Sequence, residues 1–60
     1  MLKINDKFEV AYGCYENITT AIVVAIRPTN YTHIREIDYT IPAYTGNEIH
    51  TTREVNGKIL

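Results

Sequence analysis

Serine and tryptophan are absent from this 60-residue chain, which holds one cysteine, two prolines and three glycines. Without serine, and with no glycine-rich phosphate loop, no nucleophile-and-base constellation can be assembled, so the sequence argues against an enzyme and against a bound cofactor. The lone Cys14 has no partner for an intramolecular disulfide and lacks the cationic sequence neighbours that activate a thiol. It reads as an unreactive side chain. Cys14, His33 and His50 show neither C-x-x-C nor closely spaced histidine ligands, so no metal is expected. A surplus of charge is missing too: six Lys plus Arg face seven Asp plus Glu, for a net charge of -1 and a pI near 6.0. No whole-molecule field draws the chain to phosphates or anionic lipid. The longest purely apolar run, Ala21 to Ile26, is far short of the roughly 20 residues that span a bilayer as helix. No membrane association is expected, and the lack of a charged segment leading into an apolar one points to a cytoplasmic protein.

What is present is β-forming. Ile, Val, Thr and Tyr dominate, and no stretch keeps helical apolar spacing through ten residues. Lys7 to Tyr12 predicts a strand with Phe8, Val10 and Tyr12 on one face, ended by Gly13. Ile18 to Ile26 predicts a central strand whose bulkier set (Ile18, Thr20, Ile22, Val24, Ile26) fills the core and whose smaller set (Thr19, Ala21, Val23, Ala25) lies under a neighbour or faces a partner. Pro28 and Asn30 break that run. A third strand, about Tyr31 to Ile41, has Ile34 and Ile37 out of phase, which predicts a bulge or bend near Arg35-Glu36. Glu36 and Asp38 share a face and are expected on an edge strand, as solvated charges that discourage aggregation. Pro42 and Thr45-Gly46-Asn47 mark the next turn. Glu48 to Val55 forms a fourth strand with Ile49, Thr51 and Val55 inward. Asn56-Gly57 is a strong type I′ hairpin signal leading to Lys58-Ile59-Leu60, while Met1 to Asn5 adds a lead-in strand. Sixty residues are too few for an ordinary two-sheet sandwich, so a single domain, residues 1–60, folded as a small, bent, partly open barrel is the expected architecture.

The stretch "DKFEVAYGCYENITTAIVVAI" resembles the KOW motif of small SH3-like barrels: a strand, Gly-x-Tyr at Gly13 and Tyr15, a polar turn at Asn17, then a β-branched strand through Ile22, Val24 and Ile26. Thr20 stands where the family carries a second glycine. "YTGNEIHTTREVNGKIL" is similar to the closing hairpin of such barrels. The resemblance implies an all-β, five-stranded SH3-like partly open barrel that binds rather than catalyses. It does not choose the ligand.

Five of the six aromatic residues are tyrosines. Tyr12 and Tyr39 alternate with core positions, whereas Tyr15, Tyr31 and Tyr44 fall at loops or strand ends, with Arg27, His33 and Arg35 near Tyr31 in sequence. Tyr, Arg and His together suit a protein hot spot, so Tyr15, Arg27, Tyr31, His33, Arg35 and Tyr44 are the candidate partner-binding residues. The expected function is docking on a protein partner as a regulator, inhibitor or accessory subunit. A viral protein that redirects a host machine also suits the size and the Asn-, Ile- and Thr-rich usage. The alternative is RNA or single-stranded DNA binding, with Tyr15 and Tyr31 stacking on bases and Lys7, Arg27, Arg35 and Arg53 on phosphates. Self-association through exposed edge strands is a third course, and the sequence leaves monomer or homo-oligomer open.

Overall fold

A computed structural model describes all residues, 1–60. Five strands, β1 (Lys7–Tyr12), β2 (Asn17–Pro28), β3 (Ile34–Thr40), β4 (His50–Val55) and β5 (Lys58–Ile59), pair antiparallel with their chain neighbours in the order β1-β2-β3-β4-β5. One helical turn, α1 (Pro42–Thr45), joins β3 to β4. The fold is all-β: a meander curled into a half-barrel. The curl is visible in the side chains, because Tyr12 on β1 and His50 on β4 bring their rings to 6.1 Å between centroids. In a flat sheet, at about 4.8 Å per strand, those two strands would lie about 14 Å apart.

Turn chemistry accounts for the joints. Gly13 takes φ +90° and Glu16 φ +51° between β1 and β2, while Asn56 and Gly57 take φ +52° and +83° between β4 and β5. Positive φ at both central residues is what a type I′ turn requires, and Asn-Gly supplies it with little strain. Asn5, at φ +74°, makes a corresponding kink ahead of β1. There the Met1 to Asn5 segment forms no strand, but the Asn5 N–H donates to the Val23 carbonyl at 2.8 Å.

The inner face of β2 is the reverse of the sequence expectation. Ala21 and Val23 are fully buried, at 0% exposure, while Ile18 is 65% exposed. Small residues belong inside because Phe8 lies opposite Ala21 and Tyr39 opposite Val23; the large rings fill the space that Ala21 leaves. A bulge then resets the strand. The β2–β3 register shifts between Val23 and Ala25, leaving Val24 as the extra residue, so that Ile26 faces inward opposite Ile37. The bulge thus sits on β2 and not near Arg35-Glu36, where it was expected.

On β4 the inward set is also shifted by one. Tyr39 pairs with His50, Ile37 with Thr52 and Arg35 with Glu54, so His50, Thr52 and Glu54 face inward while Ile49 is exposed. β3 is an interior strand rather than an edge. The fully buried apolar core is small: Ala21, Val23, Ile37 and Ile41. Around it runs a chain of rings, Phe8 edge-on to Tyr39 at 5.2 Å, Tyr39 stacked on His50 at 5.4 Å, and Tyr12 against Tyr44 at 5.4 Å. These contacts bind β1, β3, β4 and α1 across the open side of the half-barrel.

Candidate functional site

The six candidate residues do not form one surface. Tyr15 lies in the β1–β2 turn, 88% exposed, and Tyr31 lies in the β2–β3 loop, so the two stand at opposite ends of β2. Tyr44, on α1, leans on Tyr12 near the Tyr15 end, where β1 leaves the sheet. Tyr31 keeps the company of His33, at 6.0 Å between rings. A continuous face through Tyr15, Tyr31 and Tyr44 does not exist.

The two arginines proposed for partner contact are occupied within the fold. Arg35 lies opposite Glu54 across the β3–β4 ladder and grips it with two bonds, Nε to Oε1 at 2.7 Å and Nη2 to Oε2 at 2.9 Å. Its Nη2 also donates to the Leu2 carbonyl at 2.8 Å, and the Leu2 N–H donates to Glu54 Oε2 at 3.2 Å. With Glu54 only 1% exposed, this is a fully satisfied polar knot inside a small core. The arginine hydrogen bonds hold the Glu54 carboxyl below its usual range against the opposing effect of burial.

Arg27 projects from the outer face of β2 and pairs with Asp38, and with Glu36 at 3.6 Å. Thr51 donates to Asp38 at 2.8 Å. Asp38 is held below its ordinary range, first by the Arg27 hydrogen bond and then by that from Thr51. Glu36 and Asp38 therefore share a face, as the two-residue spacing requires, but on an interior strand, where they pair with Arg27 in a half-exposed group instead of lining an edge.

Arg53 is the remaining arginine. It stands directly opposite Glu36 in the β3–β4 register, yet Glu36 is drawn to Arg27 on its other side, and Arg53 has no carboxylate partner. The β2–β3 loop folds back beside it. The Thr29 hydroxyl donates to the Ile34 carbonyl at 2.8 Å and accepts from the Tyr31 N–H at 3.1 Å, fixing the loop as a compact cap. Thr29, Asn30, Tyr31, Ile34 and Arg53 then line an open pocket of about 220 Å³. Its apolar lining residues are Ile34 and the 63% exposed Tyr31; Thr29, Asn30 and Arg53 supply the polar ones.

Of the sequence candidates for partner binding only Tyr31 lines this pocket, with His33 beside its ring but outside the lining; Arg53 is expected from the sequence as a phosphate contact of the alternative function. Thr29, Asn30 and Ile34 were missed as lining residues. The sequence signal there is Pro28-Thr29-Asn30, which marks a turn and says nothing of a pocket, while Tyr31, expected to open the third strand, lies in the loop ahead of β3. His50, the other histidine, is half-buried in the ring cluster and bonded through Nε2 to Thr45 Oγ1 at 2.9 Å. No set of three or more His, Cys, Asp or Glu side chains is placed to hold a metal ion. No helix is long and apolar enough to cross a membrane.

Comparison with protein families, with characterised proteins and with solved structures finds no match to this chain.

Proposed function

We propose that the chain is a binding module that docks on a protein partner through the Tyr31–Arg53 pocket, taking a carboxylate-bearing side chain of that partner. The observation that carries this reading is the unpaired Arg53 guanidinium beside an exposed tyrosine ring. A guanidinium presents a rigid fork of donors that matches a carboxylate with two parallel bonds, and the adjoining ring and isoleucine accept the aliphatic stem. At about 220 Å³ the pocket is below the 300 Å³ or so at which drug-sized ligands begin to be enclosed, which suits one side chain. Tyr and Arg are also the residue types that dominate protein hot spots. The KOW-type, SH3-like resemblance of the first half of the chain supports binding as the activity.

Nucleic-acid binding is less well supported. Of the four cations it would use, Arg27 and Arg35 are committed to Asp38, Glu36 and Glu54. Releasing either would strand carboxylates that the fold has partly or wholly removed from water.

Affinity capture from the native host tests both readings, using the wild-type chain and the Tyr31→Ala and Arg53→Gln variants as baits, with and without nuclease. The expected result is one protein retained by the wild type after nuclease and lost by both variants. Retention indifferent to Arg53→Gln overturns the pocket, and recovery abolished by nuclease overturns the protein-docking reading.

A further inference from the structure

We propose that β1 is a self-complementary edge through which two copies of the chain join their sheets. The two edges of the sheet are unequal: β5 is two residues long, whereas β1 is six, and its outer side carries no strand. Which backbone groups it offers follows from the neighbouring bonds. The Val23 N–H donates to the Asp6 carbonyl at 2.9 Å and the Val23 carbonyl accepts from the Asn5 N–H, so Val23 turns both groups toward the first strand. Backbone groups alternate sides along a strand. Ala21 and Thr19 therefore point the same way, at Phe8 and Val10, which lie opposite them. The N–H and C=O groups of Lys7, Glu9 and Ala11 are left pointing outward, and no turn or loop backbone group bonds to them.

The side chains of Lys7, Glu9 and Ala11 are exposed on the outer face, while Phe8, Val10 and Tyr12 are half-buried on the inner. A two-fold axis normal to the sheet keeps inner face against inner face and allows three registers within the strand, centred on Phe8, Glu9 or Val10. The Glu9-centred register sets Glu9 against itself, which like-charge repulsion disfavours. The Val10-centred register pairs Glu9 with alanine and carries Lys7 past the strand end to Gly13, whose φ of +90° has already turned the chain away. The Phe8-centred register sets Lys7 directly opposite Glu9 of the second copy, twice by symmetry. Each of these pairs exchanges two outward backbone hydrogen bonds, and the two Phe8 rings meet across the axis on the inner face. Charge complementarity thus selects both the occupant, a second copy, and the register. Pairing of edges in this way is the association that unprotected long edge strands permit.

Sedimentation velocity over a concentration series tests it, with wild type, Lys7→Glu, Glu9→Lys and the Lys7→Glu/Glu9→Lys double variant. Both positions are exposed, and circular dichroism of each variant checks that the strand content is kept. The wild type is expected to dimerise, each single reversal to weaken the dimer about tenfold or more by placing like charges opposite each other twice, and the double reversal to restore it. A wild type that stays monomeric throughout, a dimer indifferent to the single reversals, or a double variant that fails to recover each overturns the proposal.

Discussion

Replacing Arg35 with methionine strips the Glu54 carboxylate of two charge-assisted hydrogen bonds while leaving it 1% exposed. Breaking one side of a buried ion pair costs about 3–5 kcal/mol, most of it the penalty of an uncompensated charge. The lower end, about 3 kcal/mol, applies because about a fifth of the Arg35 side chain (21%) reaches solvent and the Leu2 N–H remains on Glu54. A domain of this size has a total stability of about 3–9 kcal/mol, so the loss ranges from a third of the stability to all of it. Urea unfolding followed by far-ultraviolet circular dichroism gives the number. The double variant Arg35→Met/Glu54→Leu separates this account from simple loss of contact. With both charges gone and the volume filled, it should return to within about 1 kcal/mol of wild type. The single variant should also gain stability as the pH is lowered toward 5, because a lone buried carboxylate prefers its proton. An Arg35→Met protein within about 0.5 kcal/mol of wild type, or a double variant no better than the single one, refutes the reasoning.

In the wild type the pH dependence has the opposite sign. Glu54 and Asp38 are both lowered in the folded chain, chiefly by hydrogen bonds from Arg35 and Arg27, so their stabilisation is complete above the unfolded carboxyl range near about 4 and is lost as the pH falls through their lower folded values. Glu54→Gln and Asp38→Asn should each flatten the acid limb of a thermal-melt series; an unchanged limb in both would contradict the assignment. On β2 and β3, Ile37→Ala should cost about 2–5 kcal/mol by opening a cavity in the core, whereas Ile18→Thr on the outer face should stay within about 0.5 kcal/mol. Equal losses by urea titration would return the bulky set of β2 to the interior.

The strands and their joints were legible because alternation and turn chemistry are local. Lys7 to Tyr12 was bounded correctly by a glycine, and Asn56-Gly57 by the backbone that a type I′ turn demands. Which face of β2 turned inward was not legible, since the greater bulk of Ile18 and Ile22 suggested the core and only the rings of Phe8 and Tyr39 across the ladder decide otherwise. The same holds for Glu54. A charged residue in an alternating strand reads as solvent-facing until Arg35, 19 residues earlier, is found opposite it. Of the candidate site, Tyr31 and His33 were visible as a loop aromatic and its neighbour. The pocket itself depends on Thr29 capping its own loop and on Glu36 preferring Arg27 to Arg53, a competition between partners that no spacing rule expresses.

The bulge at Val24 bears on how such a chain changes over generations. Ahead of it the odd-numbered residues Ala21 and Val23 face inward; beyond it the even-numbered Ile26 does, which leaves Arg27 on the outer face beside Asp38. Loss of the Val24 codon would remove only the unpaired residue: Val23 would still lie opposite Tyr39, Ala25 opposite Asp38, Ile26 opposite Ile37 and Arg27 opposite Glu36. Val24 is thus the β2 position whose loss keeps the register, whereas loss of a residue elsewhere in the strand, with the bulge left in place, would turn one part of β2 over and set Ile26 and Arg27 on the wrong faces.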